Sequence, residues 1–348
     1  MTKKIFLLSS AESTHTARWA NAIVNSGFEV YLISQQPLKH KLDEKVKFIE
    51  LKYKGGLSYF LNTKYVRALI NEIKPDYIHA HFASGYGTLA KNIGHPYLLS
   101  VWGSDVYDFP SSFFKRFLLK RALKGATKIF STSHCMKTQT EKFTDKPITV
   151  IPFGVDLTKF KPISLNKTDV FELGIVKVID KKYGIDVLLN AIALLSKMVQ
   201  EKFKLTIIGD GPQLSEMKLL SESLDIKDLV EFIGWVPNDE LPRYLNSFDV
   251  FLVPSRLDSE SFGVAAVEAG ACELPCIVSN VGGLPEVIID SKTGIVVPKE
   301  DPQELANAIK YLLENRSVGI SMGIAARENV TEKYDWEKNV KTMTNYYE

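Results

Sequence analysis

Two glutamates eight residues apart, Glu260 and Glu268, lie in a stretch whose local structure could turn them into ligands. The apolar run Asp249-Val-Phe-Leu-Val-Pro254 reads as a buried strand that ends at a turn, and Gly263 onward reads as a helix. The stretch is therefore a strand, a polar loop and a helix N-terminus. Backbone N–H groups at such a terminus point outward, and with the helix dipole they favour an anion such as a phosphate. Glu268 lies five residues past Gly263, so its carboxylate sits roughly 7 Å further along the helix axis. That is about the step from a nucleotide phosphate to ribose hydroxyls, which a carboxylate can accept as a pair. Glu260, in the loop, would face whatever lies beyond the phosphate. The alternative is plainer: Glu260 caps the helix and Glu268 is a solvated helix residue.

The surroundings favour the first reading. Ala269-Gly270 follow directly, and Val281-Gly-Gly-Leu-Pro-Glu286 comes after the next apolar run. Written out, the stretch resembles the Glu-x7-Glu signature of the retaining glycosyltransferases of family 4, which have the GT-B fold. The resemblance implies that Glu260 orients a donor sugar and Glu268 a ribose, with Ser261, Phe262, Gly263 and Val264 around the diphosphate. It further assigns Lys177 and Lys182 to that diphosphate, because they match the family's pair of cations about five residues apart. Cations suit a leaving group whose charge grows as the glycosidic bond breaks. Gly209-Asp-Gly-Pro212 resembles the family's turn near the nucleotide, and Val236, in Glu231-Phe-Ile-Gly-Trp-Val-Pro237, resembles the residue whose backbone holds the base. Thr149-Val-Ile-Pro-Phe-Gly-Val-Asp156 resembles the segment before the interdomain crossing.

The first half of the chain departs more from the family. Ser9-Ser-Ala-Glu-Ser-Thr-His15 lacks the usual glycine-rich loop, leaving His15 as a site candidate against a plain N-cap. Trp102 stands where relatives often have a His before Gly-x-Asp, so only Asp105 of that motif is retained. His79 and His81 alternate along one strand and are expected on opposite faces, which argues against a shared metal; His81 is kept as a cleft candidate. Neither an Asp-x-Asp metal pair nor a glycosidase-like acid and nucleophile is evident. No metal or cofactor is expected, only a nucleoside diphosphate sugar, most naturally a UDP-sugar.

Elements must position these residues. Strand-like runs at Ile5 to Ser9, Glu29 to Ile33, Tyr77 to Ala80, Tyr97 to Val101, Val170 to Val178, Lys204 to Ile208, Val250 to Val253, Cys276 to Val278 and Gly294 to Val297 alternate with helical patterns. Such alternation implies parallel sheets wrapped by helices. At 348 residues the chain has room for two domains. The expected division is 1–164 as an acceptor-binding Rossmann-like domain, joined by a closing helix 331–348, and 165–330 as the nucleotide-sugar domain, with Ser164 to Asp169 as linker. Residues 1–160 carry net +11 and 161–348 net −9. The basic half suits anionic lipid or a phosphorylated acceptor, and no nucleic-acid recognition motif accompanies it.

No apolar run approaches the ~20 residues of a membrane span, and Thr2 to Leu8 reads as a strand rather than a leader. Three scattered cysteines suit a reducing cytoplasm. Residues 109–128 interleave Phe113 and Phe117 with Lys115, Arg116, Lys120, Arg121 and Lys124. They form either an interfacial helix on the inner face of the membrane or a surface helix packing its Phe/Leu stripe on its own sheet. The expected activity is sugar transfer from the nucleotide sugar to a hydroxyl of a glycan or lipid-linked acceptor. A sugar-nucleotide epimerase of the same fold and a non-catalytic sugar-nucleotide-binding subunit are the alternatives.

Overall fold

A computed structural model of the chain describes residues 2–165 and 169–348. The chain forms two compact units, residues 1–153 with 337–348, and residues 154–336. The chain thus leaves the first unit at Phe153 and returns at Glu337, whereas the sequence suggests 164/165 and 330/331. Of the expected linker, Asn166, Lys167 and Thr168 lie outside the described residues.

The N-terminal unit is built on seven strands: β1 (Lys4–Leu8), β2 (Glu29–Ser34), β3 (Lys47–Glu50), β4 (Tyr77–His81), β5 (Leu98–Ser100), β6 (Lys128–Ser131) and β7 (Ile148–Val150). All pairings are parallel, in the order β3-β2-β1-β4-β5-β6-β7. Helices cover a parallel sheet on both faces, and so Ile5, Phe6, Leu7 and Leu8 of β1 are all fully buried. The order reverses between β1 and β4, where loops past the carboxyl ends diverge and leave room for a ligand.

The C-terminal unit repeats the plan with six strands: β8 (Phe171–Val176), β9 (Phe203–Ile208), β10 (Val230–Gly234), β11 (Val250–Val253), β12 (Cys276–Ser279) and β13 (Gly294–Val297). Their order is β10-β9-β8-β11-β12-β13, again parallel, with the reversal between β8 and β11. Helix Ile185–Met198 contributes Leu188, Leu189, Ile192 and Leu195 to the core, and helix Pro302–Glu314 adds Leu305, Ile309 and Leu312. The second of these helices starts cleanly: the Asp301 side chain accepts from the N–H groups of Gln303 and Glu304, and Pro302 follows.

One feature separates two alternatives that the sequence left open, and another departs from the sequence reading. Helix Phe113–Gly125 buries Leu119, Ala122 and Leu123, while Phe113, Phe114 and Phe117 remain exposed, so its aromatic residues do not pack on the sheet. His79 and His81 share a face of β4, with ring centroids 4.8 Å apart. Side chains two apart on a strand point the same way, and the expectation of opposite faces was mistaken.

Candidate active site

The loops after β8 and β11 meet at the reversal point of the C-terminal sheet. Lys177 follows β8 directly, and Lys182 sits in a short 3-10 turn, Lys181–Tyr183, capped by Asp180. Glu260 lies in the loop after β11, ahead of helix Val264–Ala271. The Lys177 Nζ is 2.8 Å from Glu260 Oε2 and 2.9 Å from Oε1, in a pair whose side chains are 15% and 8% exposed. Lys182 Nζ donates to the Ser259 carbonyl at 3.0 Å. Both ammonium groups stand over the Tyr183 ring, at 4.5 and 5.4 Å from its centroid. Two cations and one carboxylate from separate loops therefore converge on one spot.

The other expected ligands occupy the same sheet edge in a definite order. Gly209 follows β9, Val236 follows β10, and neighbouring strands are spaced about 4.8 Å apart. Passing along the edge, the chain presents Val236, then Gly209, then the lysines, then the Glu260 loop. The Phe262 ring is buried and packs edge-on against Tyr334 at 5.6 Å, so its backbone rather than its side chain is available to a ligand. Ser261 is buried, Val264 opens the helix, and Glu268 lies mostly buried one turn further on.

Close backbone contacts hold these loops. Gly209, at φ +139°, approaches the Lys177 carbonyl so nearly that a Cβ would lie 1.9 Å from its oxygen. Gly282 does the same to the Glu260 carbonyl, where a Cβ would meet the oxygen at 2.2 Å, and the neighbouring Gly283 N–H donates to that carbonyl at 2.9 Å. The Val281-Gly-Gly-Leu-Pro motif is thus the backing plate of the Glu260 loop.

One residue that sequence reasoning missed ties the two loops together. The Arg256 backbone N–H donates to the Lys182 carbonyl at 2.9 Å, and its Nη1 donates to the Lys181 carbonyl at 3.0 Å. Its Nη2 pairs with Asp186 at 2.5 Å and its Nε with Glu300 at 3.1 Å. A planar guanidinium can satisfy several acceptors at fixed angles, which suits a bridge between a cation-bearing turn and a carboxylate-bearing loop. Nothing in the spacing of Arg256 announces this, because its partners come from three other segments.

In the N-terminal unit, His15, His81 and Trp102 meet at the β1/β4 reversal. His15 stacks on Phe153 at 4.2 Å and meets Trp102 edge-on at 6.2 Å, while His81 lies 4.2 Å from Trp102. Burial, aided by Arg18, holds the His15 imidazole down to about 4, and burial with the neighbouring His79 depresses His81 well below its usual range. Both rings are neutral at physiological pH. Asp105 is turned inward instead: its carboxylate accepts the N–H groups of Ala83, Trp102 and Gly103 at 2.7, 3.1 and 2.9 Å. It clamps two loops under the aromatic cluster. His79 is engaged at both ring nitrogens, by Tyr347 Oη at 2.5 Å and Ser100 Oγ at 2.8 Å, and serves as a structural residue. Among the described residues no three His, Cys, Asp or Glu side chains cluster as metal ligands.

Two Rossmann-like sheets, each with its candidate residues past the carboxyl ends at the order reversal, define a GT-B glycosyltransferase architecture. Comparison with known proteins agrees. Residues 157–329 match the family model described as glycosyl transferases group 1, and residues 4–133 match glycosyl transferase 4-like. An uncharacterized glycosyltransferase of Methanocaldococcus jannaschii is 32% identical over 304 residues, covering 86% of this chain and 82% of that protein. A GDP-mannose-dependent alpha-(1-6)-phosphatidylinositol monomannoside mannosyltransferase of Mycobacterium tuberculosis is 33% identical over 54% of this chain and 52% of its own. That match spans about half of either protein. Among solved structures, HepE of Anabaena in complex with UDP superposes with a TM-score of 0.84 at 16% identity, covering 99% of both chains. The chain belongs to the group 1 glycosyl transferases, of the family 4 type, and is a glycosyltransferase.

Proposed function

We propose that the chain transfers a hexose or N-acetylhexosamine from a nucleoside diphosphate sugar to a hydroxyl of a glycan or lipid-linked acceptor, with retention at the anomeric carbon and without a metal ion. The observation that carries this reading is the convergence of Lys177, Lys182 and Glu260 at the β8/β11 reversal. The two ammonium groups would neutralise the diphosphate as the C1–O bond to it breaks, helped by amides at Phe262 and Gly263. Glu260 would orient the sugar hydroxyls, Glu268 the ribose, and the backbone at Val236 the base. As the acceptor oxygen bonds to C1, its proton passes to an oxygen of the departing diphosphate. The work of the protein is then charge stabilisation and positioning.

A UDP-sugar is the expected donor, in line with the UDP bound by HepE, while the mannosyltransferase relative is GDP-dependent. Cell-surface polysaccharide or glycolipid synthesis at the inner face of the membrane is the setting this chemistry suits. Incubation with UDP- and GDP-hexoses, following release of the nucleoside diphosphate with and without glycan or lipid acceptors, tests the reading. Acceptor-dependent release supports it. Isomerised sugar nucleotide without release would point to an epimerase, and binding without either reaction to a non-catalytic subunit.

A further inference from the structure

The N-terminal unit has an exposed apolar surface that includes none of the candidate site residues described above. It is built from two elements: the turn and short helix around Ser58–Leu61, and the first half of helix Phe113–Gly125. Leu57 is 76% exposed, Leu61 56%, Phe113 89% and Phe117 54%. Between the two elements runs a groove of about 440 Å³ lined by Leu57, Tyr59, Phe60, Phe109, Phe114 and Leu118. Large apolar side chains gathered this way on a folded surface mark an interaction site.

Charge says what covers it. Residues 51–69 and 109–128 carry ten Lys and Arg and no Asp or Glu. Lys52, Lys64, Lys115, Arg116, Lys120 and Lys124 are all exposed. Aromatic and aliphatic side chains ringed by cations, with no acidic residue in either segment, match the boundary of an anionic bilayer, where hydrocarbon lies a few ångströms beneath phosphate. Among the described residues no helix is long and apolar enough to cross a membrane, so contact would be from one side.

We propose that this two-element face docks the N-terminal unit on an anionic lipid bilayer, with Leu57, Leu61, Phe113 and Phe117 entering the acyl boundary and the surrounding lysines on lipid phosphates. The inference deepens the acceptor side of the reading above and rests on it for the purpose of the surface. It fails separately, because vesicle binding is read without turnover.

The test is co-flotation of the full chain with phosphatidylcholine vesicles and with vesicles also containing phosphatidylglycerol, at low and high salt. Preferential, salt-sensitive binding to the anionic vesicles is expected. The variant Lys115→Gln/Lys120→Gln/Lys124→Gln should weaken it by on the order of 100-fold, about fivefold per cation. Leu57→Ser/Leu61→Ser/Phe113→Ser/Phe117→Ser should weaken it roughly tenfold or more even at low salt. Both variants should keep wild-type affinity for nucleoside diphosphate, which also reports intact folding. Equal binding to neutral and anionic vesicles, no binding to either, or unchanged binding by the charge variant would overturn the proposal. So would self-association of the wild type abolished by the apolar substitutions, which would make the face a contact between copies. Intact vesicle binding in a protein that turns over no donor would sink the transferase reading alone.

Discussion

At the scale of single residues, the structural role of the Lys177–Glu260 pair can be separated from the chemistry proposed for it. Both side chains are largely withdrawn from water, so removing one leaves the other's charge poorly solvated. Lys177→Met should lower the stability of the C-terminal unit by ~1–3 kcal/mol in urea unfolding, less than a fully buried pair would lose because the lysine keeps some solvent. Lys177→Met/Glu260→Gln should recover most of that stability while leaving turnover down by at least about 100-fold, since neutral side chains cannot stabilise the departing diphosphate. If the double variant regained turnover along with stability, the pair would be structural only. Glu268→Ala tests the ribose contact: donor binding should weaken by ~1.5–3 kcal/mol, as expected for lost charge-assisted hydrogen bonds, and unchanged affinity by calorimetry would count against it.

At the scale of elements, what matters is that two loops stay in register. Arg256 reaches the Lys181–Lys182 turn through two carbonyls and anchors on Asp186, at the start of helix Ile185–Met198. Arg256→Lys keeps a charge but loses the planar fork, so the turn carrying Lys182 should drift relative to Glu260. Affinity for nucleoside diphosphate should fall about 5- to 10-fold, or ~1–1.4 kcal/mol, while affinity for the corresponding monophosphate changes much less. An equal loss for both ligands would mean the substitution acts through general unfolding. Gly282→Ala strikes the same loop from behind. With φ at +51° and the Glu260 carbonyl oxygen in the way, the new methyl must displace the loop backbone. A stability loss of ~2 kcal/mol or more, with donor binding reduced in the folded fraction, is the expected outcome.

At the scale of the whole chain, buried neutral histidines contribute to the response to acid. The His79 imidazole is pushed down to about 3 by burial between Tyr347 and Ser100, and His15 to about 4. In the unfolded chain these rings protonate near 6.5. Between that value and their folded ones the unfolded state binds more protons, so stability is fully present above about 6.5 and erodes as pH falls through the window. Each ring contributes up to ~1.4 kcal/mol per pH unit there. Urea midpoints at pH 7.5, 6 and 5 should fall accordingly, and His79→Phe should flatten the slope; an unchanged slope would mean His79 does not titrate on unfolding. Tyr347, fully buried against Phe28, Tyr77 and His79, ties the returning C-terminal segment to the first unit. Tyr347→Ala should cost that unit ~3–5 kcal/mol.

Much of this was legible in one dimension. Buried parallel strands are largely apolar runs, so β1, β11 and β12 stand out most, and the alternation with helices implies two doubly wound sheets. The spacing of Glu260 and Glu268, and of Lys177 and Lys182, points to a family because local motifs need only local chain. The edge strands β3, from Lys47 to Glu50, and β10, which contains Glu231, hid better because an edge faces water on one side; the short interior strand β6 was hidden too, while the edge strand β13 was legible. What the linear order could not contain was which distant segments become neighbours. That Lys177 pairs with Glu260, that Arg256 draws three segments together, that the Phe262 ring is buried beside Tyr334, and that Leu57 and Phe114 line one groove all depend on chain crossings. Sequence separation carries no information about distance once a sheet order reverses, and tertiary packing alone decided those contacts.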